Sequence, residues 1–185
     1  MPESSGGKRE PTRRVRYSVA MSLDGYIAGP NGEADWIVHD PDIDFGEIFS
    51  LFDTLLIGRK THEAMLKMEG PGGSWPGVKS FVISRTMIPS EHPDITIVRE
   101  VRELVTELKA QPGKDIWLFG GGELFRSMLA DGLVDGVDTA IVPVLLGEGI
   151  PLLPSPASRT SLVLKNRRVY EKSGIVSLEY DVAHG

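Results

Sequence analysis

Three consecutive glycines are the strongest chemical signal in the sequence. Gly120, Gly121 and Gly122 stand between a predicted buried strand at 115–119 and a predicted amphipathic helix. Each glycine loses conformational entropy on folding, so chain packing alone is a poor explanation for a run of three. The run is expected where a ligand approaches the backbone and its pyrophosphate meets free amides at a helix N-terminus. It is not the Rossmann GxGxxG motif, because Phe125 stands where that motif needs its last glycine.

Two other strand-to-helix junctions carry positive charge. One follows a buried strand at 54–57 and consists of Gly58, Arg59, Lys60 and Thr61. The other follows a strand at 80–84 and consists of Ser84, Arg85 and Thr86. Both can be plain turns with solvated cations. The functional alternative is that free helix amides and guanidinium groups bind phosphate there.

The predicted elements place all three junctions at one edge of a sheet. Strands at 15–21, 54–57, 80–84, 95–98 and 115–119 alternate with amphipathic helices, of which the first covers 45–52. Strands at 137–146, 162–170 and 175–182 follow without helices between them. This order predicts a three-layer α/β/α fold, with a mixed, mainly parallel central sheet and C-terminal antiparallel strands. Ligands of such sheets bind beyond the carboxyl ends of the strands, so the junctions should share one ligand.

Charge at the junctions indicates which ligand that is. Two basic junctions around a glycine-lined one fit a dinucleotide that carries an additional phosphate. NADPH is predicted rather than NADH, because Arg59, Lys60 and Arg85 can neutralise a 2′-phosphate. We expect no carboxylate beside these cations to hold a free ribose diol.

Composition sets the limits of the protein class. The 185 residues suit one domain, predicted at 15–185 after a disordered leader at 1–14. The net charge of −6 argues against a nucleic-acid surface, and the absence of cysteine excludes disulfides and thiolate metal sites. No apolar run approaches the roughly 20 residues that span a bilayer. We therefore expect a cytoplasmic protein without a metal site or a membrane partner.

Five segments together resemble a known family. They lie at 20–28, 57–61, 82–86, 120–124 and 142–152. The set is similar to the dihydrofolate-reductase-like superfamily, and most closely to the riboflavin-biosynthesis reductase domain, which is the C-terminal domain of the bacterial bifunctional deaminase-reductase, and its stand-alone relatives. The resemblance implies an NADPH-dependent reductase of small heterocyclic or ribosylaminopyrimidine-like substrates. It also implies a homodimer that pairs through its sheets.

The resemblance assigns a role to each matching position. The residues implied in cofactor binding are Ala20, Ile27, Gly58, Arg59, Lys60, Thr61, Ser84, Arg85, Thr86, Gly120, Gly121, Gly122, Glu123 and Leu124. Asp24 corresponds to the acidic residue on the substrate side, and Glu148 and Leu152 correspond to the substrate-facing loop. As a catalytic residue, Asp24 would orient the substrate or relay a proton. An Asp-Gly pair is also a favoured turn, which is the structural alternative for Asp24.

Three further residues are open to two interpretations. Trp36 either covers the substrate pocket or fills the core. Asp42 is nearest to the helix carboxylate that folate reductases use, but the surrounding pattern differs. His62 either assists phosphate binding or is a solvated histidine at a helix start.

Two alternative functions remain for the chain as a whole. One is a dihydrofolate reductase, and the other is a non-catalytic NADPH-binding module.

Overall fold

Ten strands and four helices make up the part of the chain that the computed structural model describes, residues 12–67, 77–89 and 95–183. The strands are β1 Val15–Ser22, β2 Tyr26–Ala28, β3 Phe52–Gly58, β4 Lys79–Ile83, β5 Thr96–Val98, β6 Asp115–Gly120, β7 Gly136–Val142, β8 Ile150–Pro151, β9 Leu162–Tyr170 and β10 Ile175–Val182. The helices are α1 Phe45–Ser50, α2 Arg59–Lys67, α3 Val101–Lys109 and α4 Gly122–Ala130. None of these helices is long and apolar enough to cross a membrane.

Eight strands form one sheet in the order β5-β4-β3-β6-β1-β7-β10-β9. The pairs from β5 to β7 are parallel, and β10 pairs antiparallel with both β7 and β9. The predicted mixed, mainly parallel sheet with C-terminal antiparallel strands is confirmed. A separate two-stranded ladder joins β2 to β8, which connects the start of the chain to the segment after β7.

The main core lies between one face of the sheet and helices α3 and α4. Ile116 and Leu118 of β6 are fully buried there, and the Tyr17 ring stacks on Phe125 of α4 at 4.0 Å between centroids. Alternation along the strand turns Trp117 to the opposite face. The helices contribute four buried side chains to this core, namely Val105, Leu108, Phe125 and Met128.

An aromatic group covers the opposite face. Trp117 lies 5.4 Å from the ring of Phe49 on α1 and 5.1 Å from the ring of Phe52. The predicted helix at 45–52 is therefore too long, because α1 ends at Ser50 and Phe52 opens β3. Phe52 satisfies the helical spacing, but it packs as a strand residue. The strand predicted at 137–146 likewise ends early, at Val142, before Pro143.

The boundary of the predicted leader is wrong by two residues at its end. Arg13 is buried, and its guanidinium pairs with Asp53 and donates to the Thr54 hydroxyl at 2.8 Å and the Lys114 carbonyl at 2.6 Å. Arg14 pairs with Asp181 on β10. The charge of this segment is typical of a leader, but these arginines bind residues of several strands. Residues 1–11 of the predicted leader lie outside the described residues.

Replacing Arg13 by methionine should lower the free energy of unfolding by about 3 kcal/mol, because the acceptors around its buried guanidinium lose their partner. Chemical denaturation monitored by circular dichroism measures this difference. The matched control is Arg102→Met, since the Arg102 side chain is 61% exposed in its ion pair with Asp131. That control should change stability by less than about 1 kcal/mol. Equal effects of the two substitutions would contradict the anchoring role of Arg13.

Candidate functional site

The sheet places the three predicted junctions side by side. Gly58 at the end of β3 pairs with Ile83 at the end of β4, and Ile57 pairs with Gly120 at the end of β6. Because all three strands are parallel, their following turns meet at one edge. Arg59 and Ser84 therefore start from neighbouring backbone positions. The tertiary structure brings together segments more than sixty positions apart in the chain.

The glycines allow these turns to touch each other. A Cβ atom on Gly58 would lie 3.2 Å from the carbonyl oxygen of Gly120, and one on Gly121 would lie 3.0 Å from Oγ1 of Thr61. A Cβ on Gly122 would lie 2.7 Å from the carbonyl oxygen of Pro151. Packing therefore explains two of the three glycines, Gly121 and Gly122. The expectation that packing is a poor explanation for the run is wrong at these two positions. Close packing between α2, α4 and the segment around β8 requires small residues here.

That close packing sets two helix N-termini next to one another. Helix α2 begins directly after Gly58, and α4 begins with Gly121 as its N-cap, without a side-chain hydrogen bond in the described structure. In α1, by contrast, Asp44 caps the helix by accepting from the Glu47 amide at 2.9 Å. The amides at the start of α4 therefore remain available to an anion.

Glu123 and Leu124 present their backbones to the junction. The Glu123 carboxylate pairs with Arg126 at 2.6 Å, along the helix surface. Leu124 packs its side chain against the main core. What these two positions can offer a ligand is their amide groups in the first turn of α4.

The basic residues of the site lie on both neighbouring turns. Lys60 and Arg85 are exposed, whereas Arg59 donates to the Glu63 carboxylate at 2.6 Å. The expectation that no carboxylate lies beside these cations is therefore wrong. The sequence contained the signal, because residues four apart on a helix face each other.

Ser84 holds the turn that carries Arg85. Its buried hydroxyl accepts hydrogen bonds from the amides of Thr86, at 3.3 Å, and Met87, at 3.1 Å. The hydroxyl thus organises the loop around Arg85. Thr86 itself is exposed.

Pairing between β1 and β6 ends before the glycine turn. The paired register of these strands ends at Tyr17 and Leu118, while β1 stays paired with β7 as far as Ser22. The indole nitrogen of Trp117 donates to the Ser18 carbonyl at 2.9 Å, at the point where the two strands part. Beyond it, Ala20 lies on the edge of β1 that β6 has left.

Asp24 binds the loop that follows β7. Its carboxylate accepts from the Ser22 hydroxyl at 2.6 Å, the Gly147 amide at 2.8 Å and the Leu146 amide at 3.1 Å. The hydrogen bond from Ser22, followed by that from Gly147, lowers the pKa of Asp24 below its ordinary value. An ionised acceptor with three donors fits a positioning role. The predicted proton relay by Asp24 stays a prediction.

The loop after β7 borders both Asp24 and the glycine turn. Glu148 is exposed on this loop, and the Leu152 amide donates to the Gly25 carbonyl at 2.9 Å. Leu152 packs its side chain against the main core. Ile27 lies half-buried in β2, which pairs with β8. The predicted substrate loop thus lies beside the predicted cofactor turn.

Trp36 and Asp42 belong to different surroundings. Trp36 packs, together with Ala20, against the cluster of Val142, Tyr170 and Ile175, so it covers the carboxyl end of β1. Asp42 lies in the turn before α1, where it pairs with Lys172 at 2.7 Å. It is therefore not on the first helix.

Sequence reasoning also missed the burial of two polar residues. Asp40 is fully buried and accepts from the Ser173 amide at 3.0 Å, which joins the segment before α1 to the turn between β9 and β10. The Ser173 side chain contributes most to lowering the pKa of Asp40. His62 is also buried, so the alternative of a solvated histidine is wrong. The signal lay one turn along α2, because His62 and the half-buried Met65 are three residues apart and so share a helix face.

Fold and site together define a reductase-like α/β domain, and comparison with known proteins identifies its family. The model of the RibD C-terminal domain family matches residues 13–175, so the chain belongs to that family of riboflavin-biosynthesis-type reductases. The chain is 39% identical over 178 residues to the uncharacterized protein YyaP of Bacillus subtilis, covering 91% of this chain and 94% of that protein.

Solved structures agree with this assignment. The Shewanella sp. PV-4 protein named "putative riboflavin biosynthesis protein" superposes with a TM-score of 0.77 at 26% identity, covering 92% of this chain and 99% of that one. The dihydrofolate reductase of Enterococcus faecalis, solved with NADP(H), superposes with a TM-score of 0.61 at 20% identity, covering 92% and 95%. The dihydrofolate-reductase-like fold expected from the sequence is confirmed.

Replacing Asp24 by alanine should free the loop after β7. The amides of Leu146 and Gly147 should exchange hydrogen about tenfold faster, because their acceptor is lost. Hydrogen exchange followed by mass spectrometry measures this, with Asp35→Ala as an exposed carboxylate control. Because the pKa of folded Asp24 is lowered, the wild-type contact stabilises the fold at neutral pH and is lost only as pH falls through that pKa, which lies below the ordinary value of an aspartate. Unchanged exchange in Asp24→Ala would contradict the positioning role.

Proposed function

We propose that this chain is an NADPH-dependent reductase of the cytoplasm that acts on a small heterocyclic or ribosylaminopyrimidine-like substrate. The observation that carries the proposal is the contact of two helix N-termini beside the place where β1 and β6 cease to pair. The close approach of Gly121 to Thr61 places the two helix N-termini together. The pairing of β1 with β6 ends at Tyr17. A long dinucleotide needs both, because its pyrophosphate and its flat ring bind at different places.

The residues present fit such a cofactor. The amides at the start of α4 would hold the pyrophosphate, and Arg59, Lys60 and Arg85 would surround the 2′-phosphate. Ala20 and Ile27 would contact the nicotinamide beside β1, beyond the end of its pairing with β6. When bound, NADPH would supply the hydride that reduces the substrate.

The remaining residues would position the substrate and exclude water. Asp24 holds Leu146 and Gly147, so it fixes the loop that presents Glu148. Trp36 covers the carboxyl end of β1 and limits the access of solvent there. Fixing the substrate close to a bound reductant is the main contribution that such a scaffold can make.

The structure favours this activity over dihydrofolate reduction. Folate-type chemistry, as the family resemblance implies, uses a carboxylate on the first helix that faces the substrate. In α1, Phe45 and Phe49 share the face that turns to Trp117, and the acidic Glu47 is exposed on another face. Asp42 pairs with Lys172 outside the helix. The sheet-facing side of α1 therefore offers an aromatic surface and no acid.

Titration with NADPH and NADH tests the cofactor assignment. The wild-type chain should bind NADPH with a micromolar Kd, and Arg85→Ala should weaken NADPH by about tenfold while leaving NADH nearly unchanged. Arg102→Ala, on the exposed surface of α3, serves as the control. Failure of the wild-type chain to bind NADPH would refute the proposal. An equal loss for both dinucleotides would refute the 2′-phosphate role of Arg85.

A substrate panel then separates the alternatives. Consumption of NADPH in the presence of a ribosylaminopyrimidine, followed by absorbance, would support the proposed reaction. Consumption with dihydrofolate and sensitivity to antifolates would support the folate alternative. NADPH binding without consumption across the panel would indicate a non-catalytic binding module.

We further propose that the chain forms a homodimer through β9. This edge strand exposes four apolar side chains, with Val169 at 60%, Val163 at 53%, Leu164 at 47% and Leu162 at 42% exposure. Exposed apolar edge strands invite pairing, and natural proteins usually protect or cover them. A second copy is the natural occupant, because an open strand edge can face its own equivalent across a two-fold axis.

Light scattering after size exclusion measures the oligomeric state. The double substitution Leu164→Lys with Val169→Lys should convert the dimer into a monomer, because like charges would then face each other across the axis. Leu66→Lys is the matched control, since Leu66 on α2 is 60% exposed and lies away from β9. A wild-type monomer, or a dimer that survives the double substitution, would refute this interface.

A further inference from the structure

We infer that Glu63 is a specificity-determining residue that opposes binding of the 2′-phosphate and so reduces the preference for NADPH over NADH. The inference rests on the proposed cofactor function. It starts from the ion pair between Arg59 and Glu63, whose nitrogen and oxygen are 2.6 Å apart on the first turns of α2. Arg59 is the cation nearest to the Gly58 junction, and in this structure its guanidinium is already bound to a carboxylate.

The position of Glu63 makes it a competitor of a phosphate. Arg59 follows Gly58, and the register of β3 with β4 places Arg59 beside the turn that carries Arg85. A phosphate held between these arginines would approach the guanidinium that Glu63 occupies. The two anions would compete for the same N–H donors and would repel each other.

The same carboxylate suits an unphosphorylated ribose. In dinucleotide sites, a carboxylate accepts hydrogen bonds from the ribose diol, whereas an arginine accommodates a 2′-phosphate. This turn carries both groups, because Arg59 and Glu63 lie one helical turn apart with 39% and 47% of their side chains exposed. Exposure leaves both side chains free to rearrange around either ligand. The turn therefore has the chemistry of a mixed-specificity site.

Removal of the charge on Glu63 should shift the preference. A glutamine keeps the shape of the side chain and can still accept from Arg59, but it does not repel a phosphate. Loss of one like charge at contact distance near a surface should tighten NADPH binding by about fivefold, while NADH should stay the same or weaken. The variant should fold normally, because an exposed ion pair contributes little to stability.

The experiment compares Kd values of NADPH and NADH for wild type, Glu63→Gln and Glu107→Gln by fluorescence titration. Glu107 is an exposed glutamate on α3. The end of α3 leads to the amino end of β6, whereas the candidate site lies at the carboxyl end of that strand, so Glu107 is a matched charge control. A rise of at least about threefold in the ratio of NADH to NADPH Kd for Glu63→Gln alone supports the inference, and the rise should shrink at high salt because exposed charges are screened.

Two outcomes would overturn the inference while leaving the cofactor assignment intact. In one, wild type binds NADPH but the ratio stays within about twofold in Glu63→Gln, a smaller change than one lost surface charge should give. In the other, NADPH binding weakens in Glu63→Gln, which would mean that Glu63 orients Arg59 for the phosphate. Failure of the wild-type chain to bind either dinucleotide would refute the proposed function and this inference together.

Discussion

The backbone of Gly58 lies against the backbone of Gly120 and Gly121, and the whole candidate site depends on this contact. It allows α2 and α4 to begin beside each other at the carboxyl ends of β3 and β6. A side chain on Gly58 would meet the Gly120 carbonyl oxygen at 3.2 Å, and one on Gly121 would meet the hydroxyl of Thr61 at 3.0 Å. With larger residues the helices would separate, and their free amides would no longer converge on one anion.

The second constraint is the link between the turn after β1 and the loop after β7. Asp24 accepts from two amides of that loop, and the Leu152 amide donates to Gly25. These hydrogen bonds hold the loop beside the glycine turn, where the Pro151 carbonyl limits position 122 to glycine. The loop after β7 and the glycine turn, which are the predicted substrate and cofactor segments, are thus parts of one packed unit. A residue such as Asp24 can therefore influence the chemistry without contacting the reacting atoms.

The positive charge at the candidate site is partly neutralised by a carboxylate, so it is smaller than a count of basic residues indicates. Arg59 and Glu63 neutralise each other, and the buried hydroxyl of Ser84 serves the loop around Arg85. At the opposite edge of the sheet, Arg13 is buried among acceptors from three segments of the chain. The role of an arginine here depends on the groups that surround it. The proposed dinucleotide preference of the turn after β3 would be set in the same way.

Much of this protein follows from the sequence itself. The alternation of strands and amphipathic helices predicts the sheet and its carboxyl edge, because side-chain periodicity reflects which face is buried. The glycine run and the basic junction at Arg59 mark the turns of the site. Only the tertiary structure decides that Arg13 belongs to the fold, that Phe52 opens a strand and that Asp42 pairs with Lys172. These outcomes depend on partners far away in the chain, and local patterns carry no information about which distant group will satisfy a charge or cover a ring.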